Sequence, residues 1–215
     1  MSKYFKALAT FLVSQVCAVD DEERFVYKNY SFDYSAHVRP IAYSTFGNAL
    51  ELNNKVKLNP EVPGRGGAMV LDQFIIDKDF EITTEFTIQS NLSTSRGFVL
   101  LLTQQEMAEE EFMDSELGYR MDYEGIGVFV FRHPQRDGKW FVMTMQNQGT
   151  RSALKVENEI QSAMRKDNNC EIDMESGVQS GIRIELVDNK VRTFVKDSDD
   201  VSYRECTVLP RYKPW

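Results

Sequence analysis

The chain has few of the residues that build metal sites and few apolar runs that could cross a membrane. Three of its 215 residues are cysteine and two are histidine. Cys17, Cys170 and Cys206 lack the close paired spacing of a zinc site. Beyond the amino terminus no stretch approaches the roughly 20 consecutive apolar residues of a membrane-spanning helix. Neither internal repeats nor low-complexity tracts occur. Basic charge is in deficit, with 25 Lys and Arg against 33 Asp and Glu, a formal net charge of −8. Such a chain is a poor partner for nucleic acid or for an anionic membrane surface. What remains is an ordinary globular composition, 42% apolar and 27% charged, in a chain long enough for one domain with a substantial core.

The amino terminus reads differently from the rest. Lys3 and Lys6 precede an apolar run, Ala7 to Ala18, and Val16-x-Ala18 offers the small residues a signal peptidase accepts. Residues 1–18 are therefore expected to be a signal peptide cleaved after Ala18, and 19–215 the mature domain. The competing reading is a buried first strand or helix, disfavoured because the polar Asp20 to Arg24 follows at once. Cleavage removes two lysines, so the net charge moves from −8 to about −10. It also removes Cys17, leaving Cys170 and Cys206 as the natural disulfide pair in an oxidising lumen. Asn29-Tyr-Ser31 and Asn91-Leu-Ser93 are glycosylation acceptors in turn-like, polar surroundings.

Strand signals dominate after residue 50. In Phe80 to Ile88, Phe80, Ile82, Thr84, Phe86 and Ile88 alternate with Glu81, Thr83, Glu85 and Thr87, which predicts one core face and one solvent face. Ile182 to Val195 reads as a β-hairpin turning at Asp188-Asn189, residues that tolerate the left-handed conformation. Gly97 to Thr103 and Ile126 to Phe131 are continuous apolar runs, as in strands inside a sandwich. The acidic stretch Gln104 to Glu116 alone looks helical, and its carboxylates are read as a solvated helix or long loop rather than a calcium cluster. The predicted fold is all-β, a two-sheet antiparallel sandwich of the concanavalin A-like jelly-roll type.

The segments GFVLLLT (Gly97 to Thr103), GIGVFVF (Gly125 to Phe131) and FVMTMQNQG (Phe141 to Gly149) resemble the core of the L-type lectin domain, found in luminal cargo receptors shuttling between endoplasmic reticulum and Golgi. The similarity extends over nearly the whole mature chain. It takes in Glu23 to Lys28, Phe46 to Ala49, Val56 to Pro60, Gly66-Gly-Ala68, Phe80-Glu-Ile82, the Cys170 and Cys206 pair, and Leu209-Pro210. The resemblance implies a lectin-like protein of the secretory pathway, binding glycoproteins or other secretory proteins, with calcium as the family's cofactor. It also places the ligand site, and there the chain departs. Where the family has two aspartates this chain has Arg96 and Phe131; near the family's asparagine ligand stands Gln135; Asn147 and Gly149 persist as an Asn-x-Gly that can be simply a turn. The family's later Asp and His have no counterpart, the histidines being His37 and His133. Calcium-dependent mannose binding is therefore expected to be lost, and no metal site or other cofactor is expected.

Two further expectations follow from likeness. Glu171-Ile-Asp173-Met-Glu175 matches the E-I-D-x-E signature of family 16 glycoside hydrolases, where a strand would project Glu171, Asp173 and Glu175 from one face onto a glycosidic bond. Cys170 directly before the motif, and the absence of tryptophan near it, favour three acids on an edge strand and no catalytic residues. L-type lectins follow Leu-Pro with an aromatic-glycine strand, and cargo receptors add a stalk and membrane anchor, whereas Arg211 to Trp215 are all that follows here. The expectation is an incomplete version of a longer protein, with Tyr27 to Tyr34 as the alternative filler of the missing strand's place.

Overall fold

The computed structural model describes residues 10–19, 24–26, 43–52, 55–58, 66–71, 79–89, 97–103, 123–132, 139–148 and 169–210. Every regular element among them is a strand. The larger sheet contains β1 (Thr10–Val19), β2 (Arg24–Val26), β4 (Leu50–Leu52), β5 (Lys55–Lys57), β7 (Phe80–Thr87), β12 (Gln179–Val187), β13 (Lys190–Lys196) and β14 (Arg204–Pro210). Its order is β14-β13-β12-β7-β1-β5-β4, with β2 paired to β1. The smaller sheet has the order β11 (Asn169–Ile172), β10 (Trp140–Gln148), β9 (Glu124–Arg132), β8 (Gly97–Thr103), and β3 (Tyr43–Gly47) pairs β6 (Gly67–Leu71). All pairings are antiparallel. The fold is the expected all-β jelly-roll sandwich.

Period-two alternation builds the core between the sheets. The larger sheet contributes Phe80, Phe86, Ile182, Ile184, Leu186, Val191 and Val195. Ile126, Val128, Val130, Trp140, Val142 and Ile172 face them from the smaller sheet. Phe86 meets Phe98 edge to face at 4.6 Å between ring centroids, a geometry that sets a positive ring edge against a negative face. The hairpin turns at the expected place: Asp188 and Asn189 both have positive φ, 53° and 57°, the requirement of the tight turn whose twist matches its flanking strands. Near one edge the sheets are tied by polar and covalent links. The Thr144 hydroxyl on β10 lies 2.8 Å from that of Thr193 and accepts from that of Thr207 at 2.8 Å, all three buried, so Thr144 partners both inside the core. Cys170 on β11 is disulfide-bonded to Cys206 on β14, with Cα atoms 5.5 Å apart.

The outer face of the larger sheet is less open than simple alternation suggests. Glu81, expected on a solvent face, is only 6% exposed, and Arg183 approaches it to 4.0 Å while also reaching Glu185 at 3.3 Å. The Arg183 guanidinium lies 4.2 Å from the Phe194 ring centroid, trading hydration for the negative face of the ring. The hydroxyl end of Tyr203 lies over Gly181, where a Cβ would stand 2.3 Å from that hydroxyl, so a side chain there would displace the tyrosine. Burial, and then the neighbouring Glu85, push the Tyr203 phenol up to about 12. Long side chains folded over the strands thus cover a face whose backbone would otherwise meet water.

The amino-terminal segment bears on two expectations. Thr10–Val19, which overlaps the run read as a signal peptide, forms β1 and is hydrogen-bonded between β7 and β5. The interior place beside β7 is thus taken by this segment; Tyr27 to Tyr34, the proposed filler, and the acidic stretch Gln104 to Glu116 lie outside the described residues. Asn29 and Asn91 lie outside them too.

The disulfide closes a separation of 36 residues, so replacing Cys170 and Cys206 by serine is expected to cost about 4 kcal/mol in the chain-entropy account, read by urea denaturation of the two forms. Tyr203 keeps its proton in the fold above the pH at which the unfolded chain loses it. Its contribution is therefore complete below pH 10 and falls as the pH rises from 10 to 12. Tyr203→Phe should flatten that part of a stability-against-pH curve.

Candidate functional site

Phe131, one of the positions the resemblance assigns to the ligand site, lies on the outer face of the smaller sheet, where its described neighbours are mostly apolar. Strand β9 has no free side: Ile126, Val128 and Val130 point into the inter-sheet core while Phe129 and Phe131 point outward. The outward residues are not exposed. Tyr123, Phe129, Phe131, Phe141 and Met143 form a second buried cluster, each at most 8% exposed, with Val99, Leu101 and Met145 packed against it. Gly127 makes this possible, because a Cβ there would stand 2.5 Å from the Tyr123 hydroxyl and 2.7 Å from the Phe129 ring. One side of the sheet therefore faces one core and the other side faces another.

Register shows which of the predicted site residues come together. Phe131 lies opposite Gly97 on β8 and opposite Phe141 on β10, and its ring stacks on Phe141 with centroids 6.2 Å apart. It is 4% exposed and part of a hydrophobic layer. Asn147 shares that face at the opposite end of the sheet, opposite Gly125. The six steps from Phe141 to Asn147 span about 20 Å of strand, too far for the two positions to hold one ion. Asn147 is itself buried, at 7% exposure. Arg96, Gln135 and Gly149 lie outside the described residues.

At Phe131 the described surroundings offer calcium no oxygen side chain. A hard cation needs six or more oxygen ligands, and Phe131 offers none while its surroundings are hydrocarbon. Among the described residues no group of three His, Cys, Asp or Glu side chains is placed to hold a metal.

The three acids of the hydrolase-like motif are also separated by the backbone. Strand β11 ends at Ile172, so period-two projection does not carry on through Asp173 and Glu175. Glu171 is exposed and bridged to Lys139 at 2.6 Å, with both side chains about half in water. Asp173 and Glu175 are exposed, and their backbone N–H groups donate to the Asp197 carboxylate and the Ser198 hydroxyl, each at 2.8 Å. Arg204 adds a bond from its guanidinium to the Glu171 carbonyl at 2.6 Å. The segment is a rim tied down by the β13–β14 connection, and Glu171 sits in a cross-strand row with Phe141 and Phe131.

Comparison with known proteins agrees with this architecture. A profile of the legume-like lectin family matches residues 23–212. The chain belongs to the legume-like lectin family. No curated protein matches it by sequence. Among solved structures it is similar to the carbohydrate recognition domain of Emp47p, at 18% identity over 88% of this chain and 82% of that one, with a TM-score of 0.64. The calcium-bound exoplasmic/lumenal domain of VIP36 superposes with a TM-score of 0.62 at 13% identity, covering 80% and 71% of the two chains. The legume lectin-like domain from Entamoeba histolytica gives 0.58 at 17% identity, covering 80% and 76%. At these identities the structures establish a shared fold, and the profile establishes the family. VIP36 has also been solved with calcium and mannose together.

The second apolar cluster is the feature that reading the strands one at a time missed. Its signal was present in the phase of the alternation. In GIGVFVF the phenylalanines occupy one parity and the aliphatic residues the other, and in FVMTMQN Phe141, Met143 and Met145 share one parity. Pairing the two strands with Phe131 opposite Phe141 would have exposed the cluster.

Phe131→Asp places a carboxylate against the Phe141 ring in a dry layer, so the variant is expected to lose about 3 kcal/mol or more of stability and to gain no calcium binding. Chemical denaturation measures the first effect and calorimetric titration with calcium the second.

Proposed function

We propose that this chain is a lectin-like protein of the secretory pathway that recognises glycoproteins or other secretory proteins without calcium-dependent mannose binding. The observation that carries the reading is the burial of Phe131 on the outer face of the smaller sheet, stacked on Phe141 where the family's ligand chemistry needs oxygen. A cation brought to that layer would give up its water for carbon, a loss that no described neighbour offsets. Membership of the legume-like lectin family supports a binding function over catalysis. The salt-bridged, half-exposed Glu171 and the early end of β11 support the same choice.

The secretory assignment rests on the leader-like residues 1–18, with cleavage after Ala18, and on the Cys170–Cys206 disulfide, which persists in an oxidising compartment. The exoplasmic/lumenal origin of the VIP36 domain is consistent with it. Asn29 and Asn91 are the glycosylation sites of this reading, and calcium is not its cofactor. Arg96, Gln135 and Gly149 are the remaining positions of the altered ligand region, with Asn147 at the far end of the same face, and neutral or protein ligands there replace a metal-bridged sugar. No nucleic acid partner is proposed.

A glycan array run with and without calcium tests the function. Binding is expected to be unchanged by chelator, and retention on mannose resin that requires calcium would overturn the reading.

A further inference from the structure

We infer that Lys190, Arg192 and Val208, on the outer face of the larger sheet, form a docking site for a carboxylate of an extended peptide, with an apolar residue of that peptide resting on Val208. Strand β13 alternates: Val191, Thr193 and Val195 are buried, so Lys190, Arg192, Phe194 and Lys196 project outward. Register then sets the neighbours. On β14, Val208 lies opposite Arg192 and Pro210 opposite Lys190. On β12, Glu185 lies opposite Arg192 and Val187 opposite Lys190.

Three cations close by each have a carboxylate. Arg183 reaches Glu81 and, at 3.3 Å, Glu185; Lys196 is paired with Glu85, and Arg204 with Asp197 at 3.1 Å. Lys190 and Arg192 are in no ion pair among the described residues. The acid that register sets opposite Arg192, Glu185, is held by Arg183 instead. In a chain with 33 acidic residues against 25 basic ones, two neighbouring cations without an acid are unexpected. The Arg192 Nε is moreover shut off from solvent and has no acceptor. Part of the guanidinium has thus already given up its water, which lowers the further cost of bringing an anion to its outer nitrogens.

The neighbours say what carries the anion. Lys190 and Arg192 stand about 7 Å apart on one strand face, close enough for their long side chains to share one carboxylate. Val208 is 44% exposed beside Arg192, and it offers an apolar contact to a residue two positions from that carboxylate, which in an extended segment points the same way. A sugar ring finds no such welcome. The Arg183 guanidinium lies 4.2 Å from the Phe194 ring centroid, and Arg183 and Lys196 lie 5.3 and 5.7 Å from that of Tyr203, so both aromatic rings of this face already carry a cation. The ligand class is therefore an extended peptide with Asp or Glu two residues from an aliphatic side chain. The inference rests on the proposed recognition of secretory proteins for where such peptides are met.

A phage-displayed library of random heptapeptides, panned on the full chain in chelator, tests it, followed by anisotropy titration of the selected peptide. The expected results are enrichment of Asp or Glu two positions from Val, Ile or Leu, and binding that weakens with salt. Changing that acid to Gln, or Arg192→Gln in the protein, should each lower affinity about tenfold, with Arg192→Lys falling between. Urea denaturation confirms that each variant is folded; should Arg192→Gln not be, Lys190→Gln and Val208→Ser, at exposed positions, carry the same test. No enrichment, selected peptides without an acid, or affinity unchanged in folded variants would each overturn the proposal. So would a carboxylate-bearing glycan that is lost from the array on Arg192→Gln while no peptide binds. Calcium-dependent retention on mannose resin would overturn the functional reading without altering the peptide result, so the two failures are distinguishable.

Discussion

The two-sided burial of β9 is the constraint on which the rest depends. A strand presents successive side chains to opposite faces, so a run buried from Gly125 to Phe131 must supply two hydrophobic layers at once. Ile126, Val128 and Val130 hold the sheets together; Gly127, Phe129 and Phe131 form a second layer beyond the sheet. No residue in that run is left for polar chemistry. In a fold where a site can be built on strand ends and the loops beyond them, filling the last outward position with phenylalanine commits it to packing.

Around this layer the sandwich is joined near one edge by contacts that differ in kind. The Thr144, Thr193 and Thr207 hydroxyls pair inside the core, the Cys170–Cys206 bond links the outermost strands of the two sheets, and Arg204 reaches across from β14 to the Glu171 carbonyl. Gln146 adds a bond to the Pro210 carbonyl at 2.5 Å. Among the described residues β11 and β14 are the outer strands of their sheets, and the Arg204 and Gln146 bonds occupy one carbonyl on each, a group that an open edge would offer to other chains. The acid-rich sequence at this rim has its backbone occupied in fastening the edge.

Legibility followed the range of the interaction. The Phe80 strand, the Asp188-Asn189 hairpin and the apolar runs after Gly97 and Gly125 depend on alternation and turn chemistry within a few residues, and they were readable. Glu81 was not read correctly, because its burial comes from Arg183, a hundred residues away in sequence and two strand faces meeting in space. The absence of an acidic side chain at residue 131 was plain from sequence. Its role in a packed layer with Tyr123, Phe141 and Met143 required the β9–β10 register. Asn147, similar to a ligand position by motif, proved to lie at the far end of the same face.

The sequence by itself determined the class of fold, the family, the cysteine pair and the loss of a carboxylate at residue 131, since these follow from local pattern and residue identity. Tertiary structure alone decided that Phe131 and Asn147 stand apart, that Glu171 faces Lys139 while its two fellow acids leave the strand, and that residues 10–19 occupy the sheet interior. Each of these is a matter of which strand lies beside which, and in an antiparallel sandwich that choice is made by burial summed over both sheets, a quantity no single segment carries.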